Sequence, residues 1–272
     1  MKKTPKLSIF IPCFNEEKYI EIAVKSVLNQ TYKDFILNIV DDNSTDNTLN
    51  IVKKIKDPRI VIYKYNTNIG CHPNMNRCLK LPKSPYVKIL CADDILSPDC
   101  LKDEVEILDK YPSVSLVFCA SNIINSNGKI IFQRKLFSDD RMIKGDKLIK
   151  KILTSAHNIL GEPSGTMFRK NIIEKYNISL NENYKYMPDL EMWIKTLKYG
   201  DGFYINKKLF SFRLHKSSGT PKLIKRSLDE HLKLMREYGK KYNIPLVEFL
   251  FFYIKLVLFL FGKIIFVFIY AR

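Results

Sequence analysis

Strand-like and helix-like segments alternate along the first hundred residues, and this alternation allows few folds. Four short apolar runs have the length of buried strands: residues 7–11, 35–40, 59–64 and 86–91. The segments between them have apolar residues at the spacing of amphipathic helices: residues 16–30, 48–56 and 73–81. Strands and helices that alternate at this pitch predict an α/β fold, a Rossmann-like three-layer α/β/α arrangement around a mostly parallel sheet.

Beyond residue 100 the alternation is less regular. Further strands are predicted at residues 114–120, 129–134, 166–168 and 202–214, and further helices at 98–110, 139–160 and 189–199. A basic stretch at helical spacing follows at 217–242, and residues 246–270 are mainly Phe, Leu, Ile and Val. The α/β domain is therefore expected to continue into C-terminal amphipathic and hydrophobic helices.

Polar clusters follow three of the predicted strands. Pro12-Cys-Phe-Asn15-Glu16 follows the first strand, Asp41-Asp42-Asn43-Ser44 the second, and Asp93-Asp94 the fourth. Ligands of such sheets bind beyond the carboxyl ends of the strands. We therefore expect the three loops to face one crevice.

The Asp93–Asp94 pair has two interpretations. Mg²⁺ and Mn²⁺ typically take one or two carboxylates together with substrate phosphates. An isolated Asp-Asp pair is more typical of a helix N-terminus, where Asp is a favoured capping residue. The position of this pair after a buried strand and opposite two other polar loops favours a metal and ligand site. In the second loop, Asp46 is expected to cap the helix that follows.

The formal charge of +17 suggests an anionic partner, such as nucleic acid, acidic lipid or a phosphorylated substrate. Scattered lysines are also typical of a surface that is simply rich in lysine. The chain lacks the interleaved basic and aromatic residues of nucleic-acid binders, so no nucleic-acid partner is expected. The six cysteines form no CxxC pair, which indicates free thiols in a reducing cytosol.

The polar segments, taken together, resemble the family 2 glycosyltransferases of bacterial polysaccharide assembly, which have the GT-A fold. The resemblance rests on residues 8–16, 39–46, 68–70 with Asn76, 90–94, 189–193 and 212–215. These segments occur in the order typical of the family and cover about residues 6–216, a combination that is far more specific than any single motif.

The resemblance implies contacts to a nucleotide sugar. The implied nucleotide-sugar-binding residues are Pro12, Asn15, Glu16, Asp41, Asn76, Asp93, Arg213 and His215. Pro12, Glu16 and Asp41 would surround the base and ribose, and Asp93 would contact the ribose or the diphosphate. Arg213 and His215 would contact the diphosphate, because cationic donors suit phosphate oxygens.

The resemblance also implies a metal and a catalytic base. Asp94 would bind the metal, Mn²⁺ or Mg²⁺, and Asp189 occupies the position of the base, with Glu191 as its alternative. Inverting transfer needs one carboxylate to take the proton of the acceptor hydroxyl. The metal offsets the charge that develops on the departing diphosphate.

The implied function is metal-dependent, inverting hexosyl or hexosaminyl transfer in cell-surface polysaccharide synthesis. The expected donor is a UDP-sugar, and the expected acceptor is a saccharide or a lipid-linked saccharide. Residues 1–216 are expected to form the GT-A domain, with a nucleotide-binding half at about 1–100 and an acceptor half at 101–216. A basic helical linker at 217–245 and a hydrophobic, membrane-associating helix at 246–272 would follow.

Two departures from the family pattern leave an alternative function open. Cys91 stands where many relatives have an acid, and Pro188 replaces the usual acid before the base. These departures are also compatible with a non-catalytic nucleotide-sugar-binding or scaffold protein of a glycan assembly complex. A sugar nucleotidyltransferase would need a glycine-rich phosphate loop near the first strand, and the loop at 12–16 contains no glycine.

The C-terminal apolar segment has three interpretations. Residues 249–270 have about the length that crosses a bilayer core, but Lys255, Gly262 and Lys263 interrupt them. A lysine near the centre of a spanning helix costs about 3 kcal/mol, which favours a helix lying in the membrane interface over a spanning helix or one packed within the protein. With the basic stretch before it, the segment predicts attachment to the cytoplasmic face of the membrane.

Overall fold

The computed structural model describes residues 4–81, 84–155, 157–216 and 226–270. Its first part alternates as predicted: β1 (Leu7–Cys13), α1 (Ile20–Leu28), β2 (Phe35–Asp41), α2 (Thr48–Lys54), β3 (Ile60–Lys64), α3 (Cys71–Lys80) and β4 (Tyr86–Ile89). β1 lies between β2 and β4, and these pairings, like that of β2 with β3, are parallel.

Alternate residues of β1 belong to two separate cores, because successive side chains of a strand point to opposite faces of the sheet. Ile9 and Ile11 pack with the apolar face of α1, whereas Phe10 packs with α3. All residues of β1 are therefore buried, which explains why its sequence is a continuous apolar run.

The second part of the domain extends the same sheet. Its elements are β5 (Ile95–Leu96), α4 (Cys100–Lys110), β6 (Val114–Ile124), β7 (Ile130–Arg134), β8 (Arg141–Ile143), α5 (Gly145–Leu153), β9 (Thr166–Arg169), α6 (Lys170–Lys175), α7 (Pro188–Leu197) and β10 (Asp201–Arg213). Within the described residues, the strands form one sheet in the order β3-β2-β1-β4-β9-β6-β10-β5, with β7 beside β6 and β8 beside β10. β9 is antiparallel to both of its neighbours, so the mostly parallel sheet is mixed.

The predicted helix at residues 139–160 is wrong in its extent. Arg141–Ile143 instead forms β8, which pairs with β10, and the helix covers only Gly145–Leu153. At Gly145 a Cβ atom would lie 2.2 Å from the backbone oxygen of Leu197, so the helix can begin in close contact with α7 only because this residue is glycine. The carboxylate of Asp201 accepts the Gly145 N–H and holds this start in place.

Two helices follow the sheet, α8 (Ser227–Tyr238) and α9 (Leu246–Tyr270). Lys222 and Lys225 of the predicted basic stretch lie outside the described residues. Among the described helices, α9 alone is long and apolar enough to cross a membrane, with a mean hydropathy of 2.2 over Val247–Phe266.

α9 has two different faces. Phe252 and Leu256 are buried against the domain, whereas Phe251, Leu258 and Phe261 are 61%, 69% and 71% exposed. One face therefore packs on the protein, which agrees in part with the interpretation of a helix packed within the protein. The other face leaves a large apolar surface without protein cover among the described residues.

Candidate active site

The carboxyl ends of β1, β2 and β4 open into a cleft of about 700 Å³. Pro12, Asn15 and Glu16 come to this cleft from the loop after β1, Asp42 from the loop after β2, and Asp93 from the loop after β4. The three loops lie together because the three strands are parallel neighbours in the sheet. Asp189 and His215 reach the same cleft from the second part of the domain.

The loops after β1 and β2 hold each other through side chain to backbone hydrogen bonds. Asn15 has a positive φ of 55°, and its side-chain oxygen accepts the N–H of Thr45 at 2.8 Å. Asp46 accepts the N–H of Thr48, the first residue of α2, and that of Glu17 from the opposite loop. The N-cap residue of α2 is Asn47, and Asp46, one residue earlier, instead joins the start of the helix to the opposite loop at the entrance of the cleft.

Asp42 faces the cleft, whereas the predicted Asp41 does not. Asp41 is fully buried at the end of β2, where it accepts the Ser44 N–H at 3.1 Å. Asp42 accepts the N–H groups of Ile69 and Gly70 and pairs with Arg77 at 3.2 Å. Both carboxylates are almost fully buried, but of the two Asp42 lines the cleft, and the base and ribose contact of Asp41 stays a prediction.

Asn76 lies outside the cleft lining. Its amide donates to the Leu180 carbonyl at 3.0 Å, and its side-chain oxygen accepts the Leu180 N–H at 2.8 Å. Leu180 lines the cleft. The structure therefore gives Asn76 a positioning contact through Leu180, and its nucleotide contact stays a prediction.

Asp93 and Asp94 occupy different environments although they are adjacent. Asp93 lines the cleft, and its Oδ2 lies 3.0 Å from Nε2 of His215. Asp94 is 0% exposed; its Oδ2 accepts the Ser164 hydroxyl at 2.5 Å, and its Oδ1 accepts the Arg213 N–H at 2.9 Å. Burial, followed by the charge of Asp93, raises the pKa of Asp94 well above its ordinary value. Asp93 thus lines the cleft and Asp94 lies buried beside it, with ligand atoms of Cys91, Asp93 and Asp94 within 4.8 Å of one another. The metal contact of Asp94 stays a prediction.

Arg213 also lies beneath the cleft and does not line it. Its guanidinium donates to the backbone carbonyl of Asp93 at 2.8 Å and to that of Asn125 at 3.2 Å, and it lies over the Tyr19 ring. His215 packs against the same ring, with 5.0 Å between the centroids. Arg213 therefore positions the Asp93 loop, while His215 lines the cleft, and the diphosphate contact of Arg213 stays a prediction.

Asp189 lies in the first turn of α7 and faces the cleft. Burial raises the pKa of its carboxyl to about 7, with Glu162 contributing in the same direction and the Leu190 N–H opposing it. A general base works best when its pKa is near the working pH. The electrostatic environment of Asp189 is therefore that of a base.

Glu191 lies on a different face of α7 and does not line the cleft. It is buried, and its Oε1 accepts the Tyr238 hydroxyl at 2.9 Å and lies 2.9 Å from Nζ of Lys195. These contacts tie α7 to α8. The structure therefore gives Glu191 a packing role and does not favour it as the alternative base.

Three side chains of the site were missed by sequence reasoning. Ser164 joins the Asp93–Asp94 loop to the loop before β9, because its oxygen also accepts the Cys91 N–H. Glu230 of α8 accepts the N–H groups of Lys185, Tyr186 and Met187, just before α7 begins. Lys185 itself lines the cleft and is a cation near His72. None of the three belongs to a recognisable motif. Ser164 and Glu230 are distinguished only by being polar and buried.

The comparisons with known proteins identify a family. The model of the family described as "Glycosyl transferase family 2" matches residues 8–177. An uncharacterized glycosyltransferase of Rickettsia typhi is 27% identical over 88% of this chain and 73% of its own length. The chondroitin synthase of Escherichia coli is 29% identical over 87% of this chain but only 33% of its own length.

A relative and two solved structures add further likenesses. The GalNAc(5)-diNAcBac-PP-undecaprenol beta-1,3-glucosyltransferase of Campylobacter jejuni is 30% identical over 77% of this chain and 65% of its own length. S. aureus TarS 1-349 in complex with UDP-GlcNAc has a TM-score of 0.68 at 20% identity, covering 85% of this chain and 66% of that one. A Pyrobaculum calidifontis mannosyltransferase in complex with GDP-Man and Mn²⁺ has a TM-score of 0.60 at 16% identity over 85% and 65%. These identities show a shared fold.

Proposed function

The chain belongs to glycosyl transferase family 2 and has the GT-A fold, and on this premise we propose that it is an inverting, metal-dependent glycosyltransferase acting on a UDP-sugar. The proposed acceptor is a saccharide or a lipid-linked saccharide of the cell surface. TarS binds UDP-GlcNAc, which supports a UDP-linked hexosamine or hexose as donor. Relatives that are chondroitin synthases support a role in polysaccharide synthesis.

One observation carries this proposal: the base candidate and the three nucleotide-side loops line a single cleft. Asp189, Asp93 and Asp42 come from elements far apart in the chain and meet around one space of about 700 Å³. Asp42 is almost fully buried and pairs with Arg77, whereas Asp93 and Asp189 are partly exposed in the cleft. A carboxyl with a strongly raised pKa in such a cleft, as at Asp189, is typical of a functional site.

The proposed transfer is a single displacement with Asp189 as base. The acceptor hydroxyl oxygen attacks the anomeric carbon, its proton passes to the Asp189 carboxylate, and the bond from the anomeric carbon to the diphosphate oxygen breaks. The nucleoside diphosphate leaves with the bonding electrons. The Leu190 N–H holds Oδ1 of Asp189 at 2.8 Å, which fixes the orientation of the carboxylate for this step.

Asp93 and His215 are proposed as metal ligands beside the predicted Asp94. The Asp93 carboxylate and the His215 imidazole meet at the cleft surface, and Sγ of Cys91 lies within 4.8 Å of the Asp93 and Asp94 oxygens. An oxygen and nitrogen donor set fits Mn²⁺, and a carboxylate with substrate phosphates also suits Mg²⁺. Such an ion supplies charge that offsets the developing diphosphate. Lys185 is the proposed further phosphate contact, because Arg213 is committed to backbone carbonyls.

The proposed location is the cytoplasmic face of a membrane. The exposed apolar face of α9 supports attachment, and the six free cysteines support a reducing compartment. The formal charge of +17 favours a surface with anionic lipid.

A thermal-shift screen of nucleotide sugars with and without Mn²⁺ tests the donor and the metal together, since a ligand that binds the native state raises Tm. We expect a UDP-sugar to raise Tm in the presence of Mn²⁺ and the same sugar to be transferred by the wild type. Nucleotide binding without transfer to any acceptor, with Asp189→Asn behaving as wild type, would favour the non-catalytic alternative.

A further inference from the structure

A second groove, of about 580 Å³, lies beside the cleft and is not used by the proposed transfer step. α9 forms one wall through Leu258, Phe259, Gly262 and Phe266, and the hairpin of β6 and β7 forms another. Phe132 of β7 meets Phe266 of α9 edge-on, with 6.3 Å between the ring centroids. The groove is therefore an apolar channel between the domain and the helix suited to a membrane.

Gly262 leaves this channel open. A Cβ atom added at Gly262 would have no atom within 4 Å, so the helix wall faces empty space at this point. Leu258, on the same wall, is 69% exposed although it is large and apolar. Both positions are exposed, so this part of the helix wall has uncovered apolar surface with room for an apolar ligand beside it.

Charged side chains also line the groove. Arg134 and Lys135 line it, with Lys135 exposed and Arg134 paired with Glu162. His157 also lines it and stacks on Phe259, with 5.0 Å between the ring centroids. The groove thus places cationic side chains beside apolar walls, the arrangement that complements an amphiphile with an anionic head.

The groove and the cleft share a wall. Phe212 lines both, and the consecutive residues Glu162 and Pro163 line the groove and the cleft respectively. Asp189 lines the cleft on the other side of this wall. The groove and the cleft that contains the proposed base therefore adjoin at the Phe212 side chain.

We propose that this groove binds the lipid-phosphate end of the acceptor, an isoprenoid-type chain joined through a phosphate or diphosphate to a saccharide. The apolar chain lies along α9, the phosphate contacts the exposed Lys135 beside the Arg134–Glu162 pair, and the saccharide extends past Phe212 into the cleft. This inference rests on the proposed glycosyl transfer. It names the acceptor class and a binding site for its lipid part.

An amphiphile fits the groove better than a second protein chain does. A protein helix placed there would bring its own side chains against the charged side chains of the groove, where Arg134 and Glu162 already pair. A phosphate needs only the cationic donors, and the apolar chain needs only the wall of α9. The membrane-suited composition of α9 also brings the mouth of the groove close to where lipids reside.

The test uses the full chain in detergent micelles and geranylgeranyl diphosphate as the probe. Gly262→Leu fills the open part of the wall and is a favourable helix substitution. Its control is Val257→Phe, which adds volume on the same helix at an exposed position outside the groove. Lys135→Glu reverses the head-group charge, and its control is Lys129→Glu, an exposed lysine of the same hairpin that does not line the groove.

We expect the probe to raise the Tm of the wild type and of both controls. Gly262→Leu and Lys135→Glu should each weaken its binding about tenfold, a difference of about 1.4 kcal/mol. Any of three results would overturn the proposal. Geranylgeraniol or inorganic diphosphate could bind the wild type as tightly as the probe does, or phosphatidylglycerol vesicles could raise its Tm as much as the probe does. The third result is that Gly262→Leu binds the probe as tightly as the wild type does.

UDP binding with Mn²⁺, measured on the same variants, separates this inference from the proposed function. Because none of these substitutions lines the nucleotide cleft, all four variants should bind UDP as the wild type does. Loss of probe binding with intact UDP binding supports the groove as a separate acceptor site. A wild type that binds the probe but never UDP would contradict the proposed function without contradicting the proposal that the groove binds a lipid phosphate.

Discussion

At the scale of single residues, the adjacent Asp93 and Asp94 do different work. Asp93 reaches the cleft and meets His215, whereas Asp94 accepts hydrogen bonds from Ser164 and from the Arg213 backbone in a fully buried position. A side chain that only contacts a ligand can be removed without loss of the fold. A buried acceptor does not, because its former donors are left without partners.

Substitution of each aspartate should therefore give a different result. Asp93→Ala is expected to abolish the Mn²⁺-dependent rise in Tm caused by a UDP-sugar while leaving the Tm of the free protein within a degree or so. Asp94→Ala should lower the free energy of unfolding by about 1–3 kcal/mol. Calorimetry with and without Mn²⁺ measures both effects, and metal dependence retained in Asp93→Ala would contradict the assignment of the ligand.

The raised pKa of Asp189 predicts a pH profile. The base must be ionised, so kcat/KM should rise with pH and level off above about pH 7. Asp189→Asn should lower kcat by about 10²–10⁴-fold and remove this rise, without loss of nucleotide binding. A profile that still rises through pH 7 in Asp189→Asn would assign the titration to another group.

The same pKa has a consequence for stability whose sign is opposite to that of a salt-bridged aspartate. The native state holds the proton more tightly than the unfolded state, in which Asp has its ordinary pKa of 3.8. The stability that this group contributes is present below about pH 4 and is lost as the pH rises through about 7. Asp189→Asn should therefore raise Tm relative to wild type more at pH 8 than at pH 5.

At the scale of elements, the position of α7 depends on α8. The Glu230 carboxylate accepts three consecutive N–H groups just before α7, and Tyr238 donates to Glu191 within α7. α8 thus fixes the segment that carries Lys185 and the N-terminus of the helix that carries Asp189. A C-terminal helix that lines no part of the cleft sets the position of the proposed base.

Glu230→Gln is expected to lower kcat about tenfold or more with little change in the KM for the donor, because the base is displaced while the nucleotide loops are untouched. The pH profile set by Asp189 should also shift, since Glu230 contributes to the raised pKa of that carboxyl. The control is Asp229→Asn, an exposed neighbour on α8. Equal effects of the two substitutions would rule out a specific positioning role for Glu230.

The elements themselves were largely predictable, because apolar periodicity directly reflects burial. The α/β fold is confirmed, and β1 to β4 begin within a residue of the predicted strands. The helix at 139–160 was mispredicted because β8 is a three-residue edge strand, too short to show alternation. The motif does not tell which of two adjacent acids lines the cleft, so the burial of Asp41 and Asp94 outside its lining was not predictable. Ser164 and Glu230 escaped notice because their partners lie 70 and 45 residues away.

At the scale of the whole molecule, one face of α9 packs on the domain and the opposite face extends the apolar surface outward. We expect the full chain to bind vesicles that contain phosphatidylglycerol more tightly than phosphatidylcholine vesicles, and we expect salt to reduce this difference in affinity.

The double substitution Phe251→Ser with Phe261→Ser should weaken vesicle binding about tenfold or more, since each exposed ring contributes apolar area. Flotation assays measure this effect, with Ile130→Ser on β7, at a position that is 50% exposed, as control; equal retention of both variants would contradict insertion of α9.

α9 is both a wall of the groove and a helix suited to a membrane. Its position therefore determines whether the rate depends on the acceptor concentration in the membrane or on that in solution. A lipid that reaches the groove sideways from a bilayer is counted per unit of membrane area rather than per unit of solution volume. Adding inert phosphatidylcholine at a fixed total amount of acceptor should therefore slow the reaction through surface dilution. A rate that ignores the added lipid would mean that the acceptor arrives through water.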